Sequence, residues 1–171
     1  MQEWLNWPLS KSGKAQAFEG SNPSLSASVT LYKKIAKGKI RMEDTLFTKI
    51  IKGEVPSYKI YEDDKTFAFL DINPLAPGHV LVVPKNQVEF IWDLESEDYH
   101  ALMETVQKVG KRLRDVMDAP FVGVEVIGID VPHAHVHVVP FASAQELHRS
   151  VAPGGQPDHA SLEEIARKVA F

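Results

Sequence analysis

The 171-residue sequence contains no cysteine, which excludes disulfide bridges and thiolate metal sites. It also has no run of 18 or more apolar residues of the kind that spans a membrane. No segment combines a basic start, an apolar middle and a small-residue cleavage site, so we expect a cytoplasmic protein without a membrane partner. Any metal would have to be bound by histidine or carboxylate side chains.

Positive charge is scarce after the first 41 residues. Residues 1–41 carry seven basic and two acidic side chains, whereas residues 42–171 carry 12 basic and 21 acidic ones. An acidic body binds polymeric nucleic acid poorly, because neutralisation of phosphates supplies most of that affinity. We therefore expect no polymeric nucleic acid as partner, and a nucleotide would have to be held by local groups.

Residues 1–41 lack a helical or strand periodicity, and we interpret them as a disordered basic extension that ends before Met42. Their segment Gly20–Pro23 is also what a DNA string typical of the T-arm of transfer-RNA genes encodes in one frame. Two origins stay open: a start-site artefact with Met42 as the initiator, or a natural extension. A native peptide from upstream of Met42, found by mass spectrometry, would exclude the artefact.

The pattern of residues 42–171 predicts an α+β domain with an antiparallel meander sheet of about five strands. Strands rich in β-branched and aromatic residues are predicted over Ser57–Tyr61, Thr66–Asp71, His79–Pro84, Phe121–Ile127 and His133–Pro140. A short helix is predicted over Thr45–Lys52 with Asp44 as its cap, a long one over Ser96–Met117, and a terminal one from the capping box at Ser161. The long helix should cover one face of the sheet, because apolar residues recur along it at Leu102, Val106, Val109, Leu113 and Val116.

Three histidines, His133, His135 and His137, alternate with apolar residues in the last predicted strand. Side chains alternate between the faces of a strand, so the three imidazoles should share one face and Ala134 and Val136 should occupy the other. Clustered imidazoles are costly against a packed helix unless each is hydrogen-bonded, so we predict that the histidine face borders a cleft.

Two chemistries suit three such histidines. One is a divalent metal bound by neutral imidazoles, with His79 completing the set. The other is phosphoryl or nucleotidyl transfer through a nucleophilic imidazole. Carboxylate ligands are not obviously supplied and the neighbouring segments fit a nucleotide site better, so we predict no dedicated metal site.

The string His133–Val139 resembles the signature of the histidine-triad (HIT) family, in which histidines alternate with apolar residues. Two further blocks resemble the family in the same order: Asp44–Ser57 its opening helix and turn, and Phe69–Lys85 its second block. The resemblance spans nearly all of Met42–Val139. It implies the HIT-like fold, a homodimer formed through the long helix and an adjoining strand, and a hydrolase or transferase of purine nucleotide conjugates. The conjugate would be a phosphoramidate or a dinucleoside polyphosphate.

The resemblance also implies roles for single residues. His135 would attack the α-phosphorus and form a nucleotidyl-histidine intermediate, His133 would orient it, and His137 would donate a hydrogen bond to the phosphate or leaving group. His79 would support the triad, and Asp71 would accept hydrogen bonds from the ribose. The base would lie among Leu46, Phe47, Ile50, Phe69 and Ile72. The spacing of these apolar residues also fits an ordinary core, and Asp71 also fits a simple Asx turn.

The chain departs from the family before the triad, where many members have a glutamine and a hydroxyl residue that touch the phosphate. Here Ile129 and Asp130 occupy that stretch, and Glu125 lies nearest to the position of a family asparagine. Asp130 beside a phosphate is unfavourable unless it binds a cation, is protonated or pairs with a histidine. We expect an altered leaving-group preference with no required cofactor, or metal-assisted chemistry. The alternative function is a nucleotide- or metal-binding module with little turnover.

Overall fold

The computed structural model describes residues 43–147 and 157–171. Its helices are Leu46–Ile51 (α1), Ser96–Val116 (α2), Ala144–Leu147 (α3) and His159–Val169 (α4), with a 3₁₀ turn at Ile91–Asp93. Its strands are Lys59–Glu62 (β1), Thr66–Leu70 (β2), Val80–Pro84 (β3), Phe121–Glu125 (β4) and Val136–Phe141 (β5). The predicted α+β class is confirmed. The extension, its boundary at Met42 and the connection before α4 lie outside the described residues.

The five strands form one antiparallel sheet in the order β1-β2-β3-β5-β4. The first three form the predicted meander, but β5 and not β4 pairs with β3. The long helix α2 connects β3 to β4 and carries the chain to the far edge, so that β5 returns into the gap. The histidine segment therefore runs along a central strand, where His137 lies opposite Leu81 of β3.

The larger part of the core lies between the sheet and α2. Ala134, Val136 and Val138 are buried there, as the alternation with the histidines predicts. The predicted stripe on α2 packs against them through Leu102, Val106, Val109 and Leu113, with Val116 at its margin. This packing assigns the opposite face of β5 to the histidines.

A smaller cluster covers that opposite face, where Phe47 and Ile50 of α1 pack on Phe67, Phe69, Leu81 and Val83. In the part of the chain that the structure describes, no helix is both long and apolar enough to cross a membrane.

Several element ends differ from the predictions for local reasons. Thr45 and not Asp44 caps α1, because its hydroxyl accepts the Thr48 amide at 3.1 Å. The terminal helix begins at His159 with Asp158 as its cap, ahead of the predicted Ser161. The strand β5 begins at Val136, because the preceding amide of Ala134 donates outside β3, to the Val88 carbonyl at 2.6 Å.

Candidate active site

A cavity of about 480 Å³ lies beside α1, on the histidine side of the sheet. His135 and His137 line it. The seven residues predicted to bind the nucleotide all line it too: Leu46, Phe47, Ile50, Phe69, Asp71, Ile72 and Asp130. His133 and His79 lie behind this wall, each at most 2% exposed. The structure thus brings together every site residue that the sequence predicted.

The rings of His133 and His135 each donate an N–H to a backbone carbonyl. The Nε2–H of His133 donates to the Pro84 carbonyl at 2.8 Å, and the Nδ1–H of His135 donates to the His133 carbonyl at 2.6 Å. A carbonyl only accepts, so the neutral His135 ring must carry its proton on Nδ1. Its Nε2 is left with a lone pair on a side chain that borders the cavity, which is what a nucleophilic imidazole requires.

The rings of His79 and His137 are joined by a hydrogen bond, and the nitrogen at the end of this chain carries a proton, whereas Nε2 of His135 carries a lone pair. The backbone N–H of Leu75 donates to Nδ1 of His79 at 3.2 Å, so a neutral His79 carries its proton on Nε2. That Nε2 faces Nδ1 of His137 at 3.0 Å, which leaves the His137 proton on its own Nε2. Among the described residues this Nε2 is buried without a hydrogen-bond partner. His137 therefore presents an unused donor at the cavity.

The turn before His79 explains why that ring reaches its place. Gly78 adopts a φ of 90°, a left-handed conformation that glycine accepts readily. A Cβ at this position would meet Met117 Cε at 3.0 Å and Pro140 Cγ at 3.1 Å. We infer that only glycine allows this turn to pack so closely on α2 and β5, with His79 directly after it.

Burial lowers the pKa of His79, His133 and His137 and so favours the neutral form of each ring. It lowers the pKa of His79 to about 4, with help from neighbouring His137 and against the charge of Asp71. Burial also lowers the pKa of His133, although the hydrogen bond to Pro84 opposes this, and it lowers that of His137, although nearby carboxylates oppose it. With neutral rings, each of these hydrogen bonds has one donor and one acceptor, since each ring then has one N–H and one nitrogen lone pair.

Three carboxylates lie near His137, and two of them, Asp71 and Asp130, line the cavity. Asp71, Glu125 and Asp130 each act to raise the pKa of His137. Glu125 lies directly opposite His137 across the β4–β5 pair, so both side chains are on the same face of the sheet. Asp71 accepts the Asn73 amide at 2.8 Å through Oδ1, which forms the Asx turn, while it also lines the cavity. This end of the site is therefore negative before any ligand binds.

Within the described residues, Asp71, His79 and His137 have ligand atoms within 4.8 Å of one another and could hold a metal ion. A metal needs an unprotonated nitrogen from each imidazole. Here the Leu75 amide occupies Nδ1 of His79 and leaves the proton on Nε2, which is directed at His137. A bound metal would have to displace one of these two hydrogen bonds, so the arrangement fits a hydrogen-bond relay better than a metal site.

Comparison with known proteins agrees with this geometry. Residues 52–143 match the HIT domain family. The chain belongs to the HIT family. One relative of this HIT protein is adenosine 5'-monophosphoramidase HNT1 of Candida albicans, which is 36% identical over 104 residues, or 56% of this chain and 68% of the relative.

Solved structures of other HIT proteins have the same fold. A Hit-like protein of Bartonella henselae, described as involved in cell-cycle regulation, is 31% identical with a TM-score of 0.67 over 75% of this chain and 96% of its own. A zinc-bound histidine triad family protein of Mycobacterium smegmatis is 27% identical with a TM-score of 0.62 over 72% of this chain and 88% of its own.

Sequence reasoning missed the groups that hold the histidines of this HIT domain. Thr45 contacts Nδ1 of His133 at 2.9 Å, and the Leu75 amide contacts His79. Thr45 has a weak signal in the sequence, since threonine at the start of a helix is a favourable cap. The Leu75 contact has no side-chain signature at all, because the donor is a backbone group.

Proposed function

We propose that this HIT protein hydrolyses a nucleoside monophosphate conjugate through a nucleotidyl-histidine intermediate on His135. The observation that carries the proposal is the 2.6 Å hydrogen bond from His135 Nδ1 to the His133 carbonyl, which leaves Nε2 with a lone pair beside the cavity. The monophosphoramidase relative supports the same chemistry at the level of the family.

In the first step Nε2 of His135 attacks the α-phosphorus, and the bond from phosphorus to the leaving nitrogen or oxygen breaks. The leaving atom takes up a proton from solvent as it departs, and the Nε2–H of His137 donates a hydrogen bond to the charge that develops there. Water then attacks the same phosphorus and releases one proton to solvent, which balances the proton taken by the leaving atom. The phosphorus–Nε2 bond breaks, and the nucleoside monophosphate leaves with His135 restored.

The apolar wall of the cavity suits a nucleoside base. Phe47 is central to it, because its ring packs edge-on against Phe69 at 5.5 Å and against His135 at 5.2 Å between ring centroids. Asp71 also lines the cavity and suits the ribose hydroxyls, since a carboxylate can accept several hydrogen bonds; its Oδ1 accepts the Asn73 backbone amide and its Oδ2 lies 3.6 Å from His79 Nδ1. The base itself would be a purine, by family resemblance.

The carboxylates at the His137 end favour a cationic leaving group. Asp130 is exposed on the cavity wall, and Glu125 is the neighbour of His137 on the adjacent strand. An anionic phosphate that leaves toward these two carboxylates is repelled. A protonated amine elsewhere on the leaving group is attracted by the same two charges. We therefore propose that the preferred substrates are phosphoramidates whose amine part carries a second, protonated amine, rather than dinucleoside polyphosphates.

Steady-state hydrolysis with and without chelator tests this function. We expect chelator-resistant hydrolysis of a fluorogenic adenosine phosphoramidate. For a conjugate with a cationic amine we expect kcat/KM to exceed that for diadenosine tetraphosphate by about tenfold or more, the equivalent of ~1.4 kcal/mol. Asp130→Asn should narrow that ratio, because it removes one of the two charges and keeps a similar shape.

Two results would contradict the proposal. Activity that disappears with chelator would favour metal-assisted chemistry, and one structural relative is zinc-bound. Nucleotide binding without turnover would favour the binding module.

We also infer a homodimer in which β4 pairs with or packs against a second copy. β4 is an edge strand of the sheet, and large apolar side chains on it and just after it are at least 41% exposed: Phe121, Val124, Val126, Ile127 and Ile129. An unpaired edge with an apolar patch gains from a partner. Sedimentation equilibrium should give twice the chain mass, and a single-chain mass at micromolar concentration would contradict the inference.

A further inference from the structure

His133 is held by a group of three polar side chains outside the triad, which we call the threonine clasp: Thr45, Thr48 and Gln87. Thr45 Oγ1 lies 2.9 Å from His133 Nδ1. Thr48 Oγ1 donates to Gln87 Oε1, and the same Oε1 accepts the Thr45 amide at 3.2 Å. Gln87 Nε2 donates to the Glu43 carbonyl at 2.9 Å. The clasp thus attaches the start of α1 to the segment after β3.

The direction of each hydrogen bond in the clasp follows from its chemistry. The Pro84 carbonyl takes the proton on His133 Nε2, so Nδ1 of the neutral ring needs a donor. Thr48 has one hydroxyl proton, and the amide oxygen of Gln87 takes it. Thr45 is therefore the donor to Nδ1 of His133. This ring is fully buried, so without Thr45 its Nδ1 would have only the Thr48 hydroxyl, which is 3.4 Å away and donates to Gln87, in an environment where an unpaired nitrogen is costly.

The clasp matters to His135 because His133 uses two groups at once. Its ring is fixed between Thr45 and Pro84, and its backbone carbonyl accepts the Nδ1–H of His135. The ring and the carbonyl belong to one residue, so a backbone shift that accompanies displacement of the ring also moves the carbonyl that fixes the tautomer of His135.

We propose that Thr45 is a positioning residue for the nucleophile: its hydroxyl locks His133, and His133 in turn keeps the proton of His135 on Nδ1. The catalytic consequence rests on the function proposed above, whereas the effect on the tautomer does not. Thr45 does not line the cavity, so the proposal assigns it no contact with substrate.

Thr45→Val removes the hydroxyl and keeps the shape of the side chain. We expect kcat to fall by roughly 10- to 100-fold with KM changed less than about twofold, because misplacing a reacting group by about 1 Å has effects of this size. Thr45→Ser keeps the hydroxyl and should restore kcat to within about threefold of the wild-type protein. Nitrogen-15 NMR of the imidazoles should show His135 as the Nδ1–H tautomer in the wild-type and serine proteins, and a mixture in the valine variant.

The matched control is Asp158→Ala, which removes the cap of α4 just as Thr45→Val removes the cap of α1. A role limited to capping would give both variants a similar loss of stability and leave the His135 tautomer unchanged. That result, or failure of Thr45→Ser to restore kcat and tautomer together, would overturn the proposal. NMR needs no turnover, so an inactive wild-type protein would count against the proposed function and still leave the Thr45 test decisive.

Discussion

Replacement of His135 by alanine is expected to lower kcat for an adenosine phosphoramidate by about 10⁴-fold or more. In the proposed first step the bond from phosphorus to the leaving group is replaced by a bond to Nε2 of this ring, so the variant has no covalent route. The cavity should still bind the nucleotide, because the apolar wall and Asp71 remain in place. The Kd for a nucleoside monophosphate, measured by calorimetry, should therefore change much less than kcat.

His100→Ala is the matched control, since it removes an exposed histidine of α2 that is not part of the cavity lining. Wild-type protein mixed with substrate and quenched in alkali should also gain the mass of one nucleoside monophosphate on the peptide that contains His135. Alkali is needed because a phosphorus–imidazole bond is labile in acid. Turnover that persists in His135→Ala would mean that water attacks phosphorus directly.

Replacement of His137 should have an effect that depends on the leaving group. The Nε2–H of His137 is the unused donor at the cavity, and loss of one such donor typically costs roughly 10²- to 10³-fold in kcat. We expect His137→Ala to show that loss on phosphoramidates of basic amines, whose leaving nitrogen develops much charge. On a conjugate with a good leaving group, such as a nitrophenolate, the loss should be below about tenfold.

His137→Gln serves as the matched variant, because the glutamine amide keeps an N–H donor of similar reach. On amine conjugates His137→Gln should lose less kcat than His137→Ala, which should show the full loss. Equal losses of kcat on good and poor leaving groups would show that His137 acts on the phosphate or only on binding. His137 would then have no role in departure of the leaving group.

The arrangement of layers was predictable because it depends on periodicity. The stripe from Leu102 to Leu113 predicted the covered face of the sheet, and the alternation along His133–Val138 predicted which side chains would be buried under it. The pairing of β5 with β3 was not predictable in the same way. Strand order depends on where α2 delivers the chain, and no local pattern records that.

The sequence predicted which residues would lie together at the candidate site, but not the hydrogen bonds between them. The family blocks indicated the four histidines, Asp71 and the apolar wall, since these residue types recur at fixed places in the family's sequences. The hydrogen bonds that set their protonation join distant positions, such as Thr45 to His133, or involve a backbone amide, such as that of Leu75. These contacts exist only after the sheet and α1 have packed together.

The two pairs of histidines are oriented by peptide groups of opposite polarity. The rings of His133 and His135 donate to the carbonyls of Pro84 and His133, whereas the ring of His79 accepts from the N–H of Leu75. A neutral imidazole that accepts on one nitrogen must donate from the other, so it passes on the polarity that it receives, whatever the number of rings in the chain. The orientation of a few buried peptide groups therefore decides which histidine offers electrons and which offers a proton, and the site is directional before a substrate enters it.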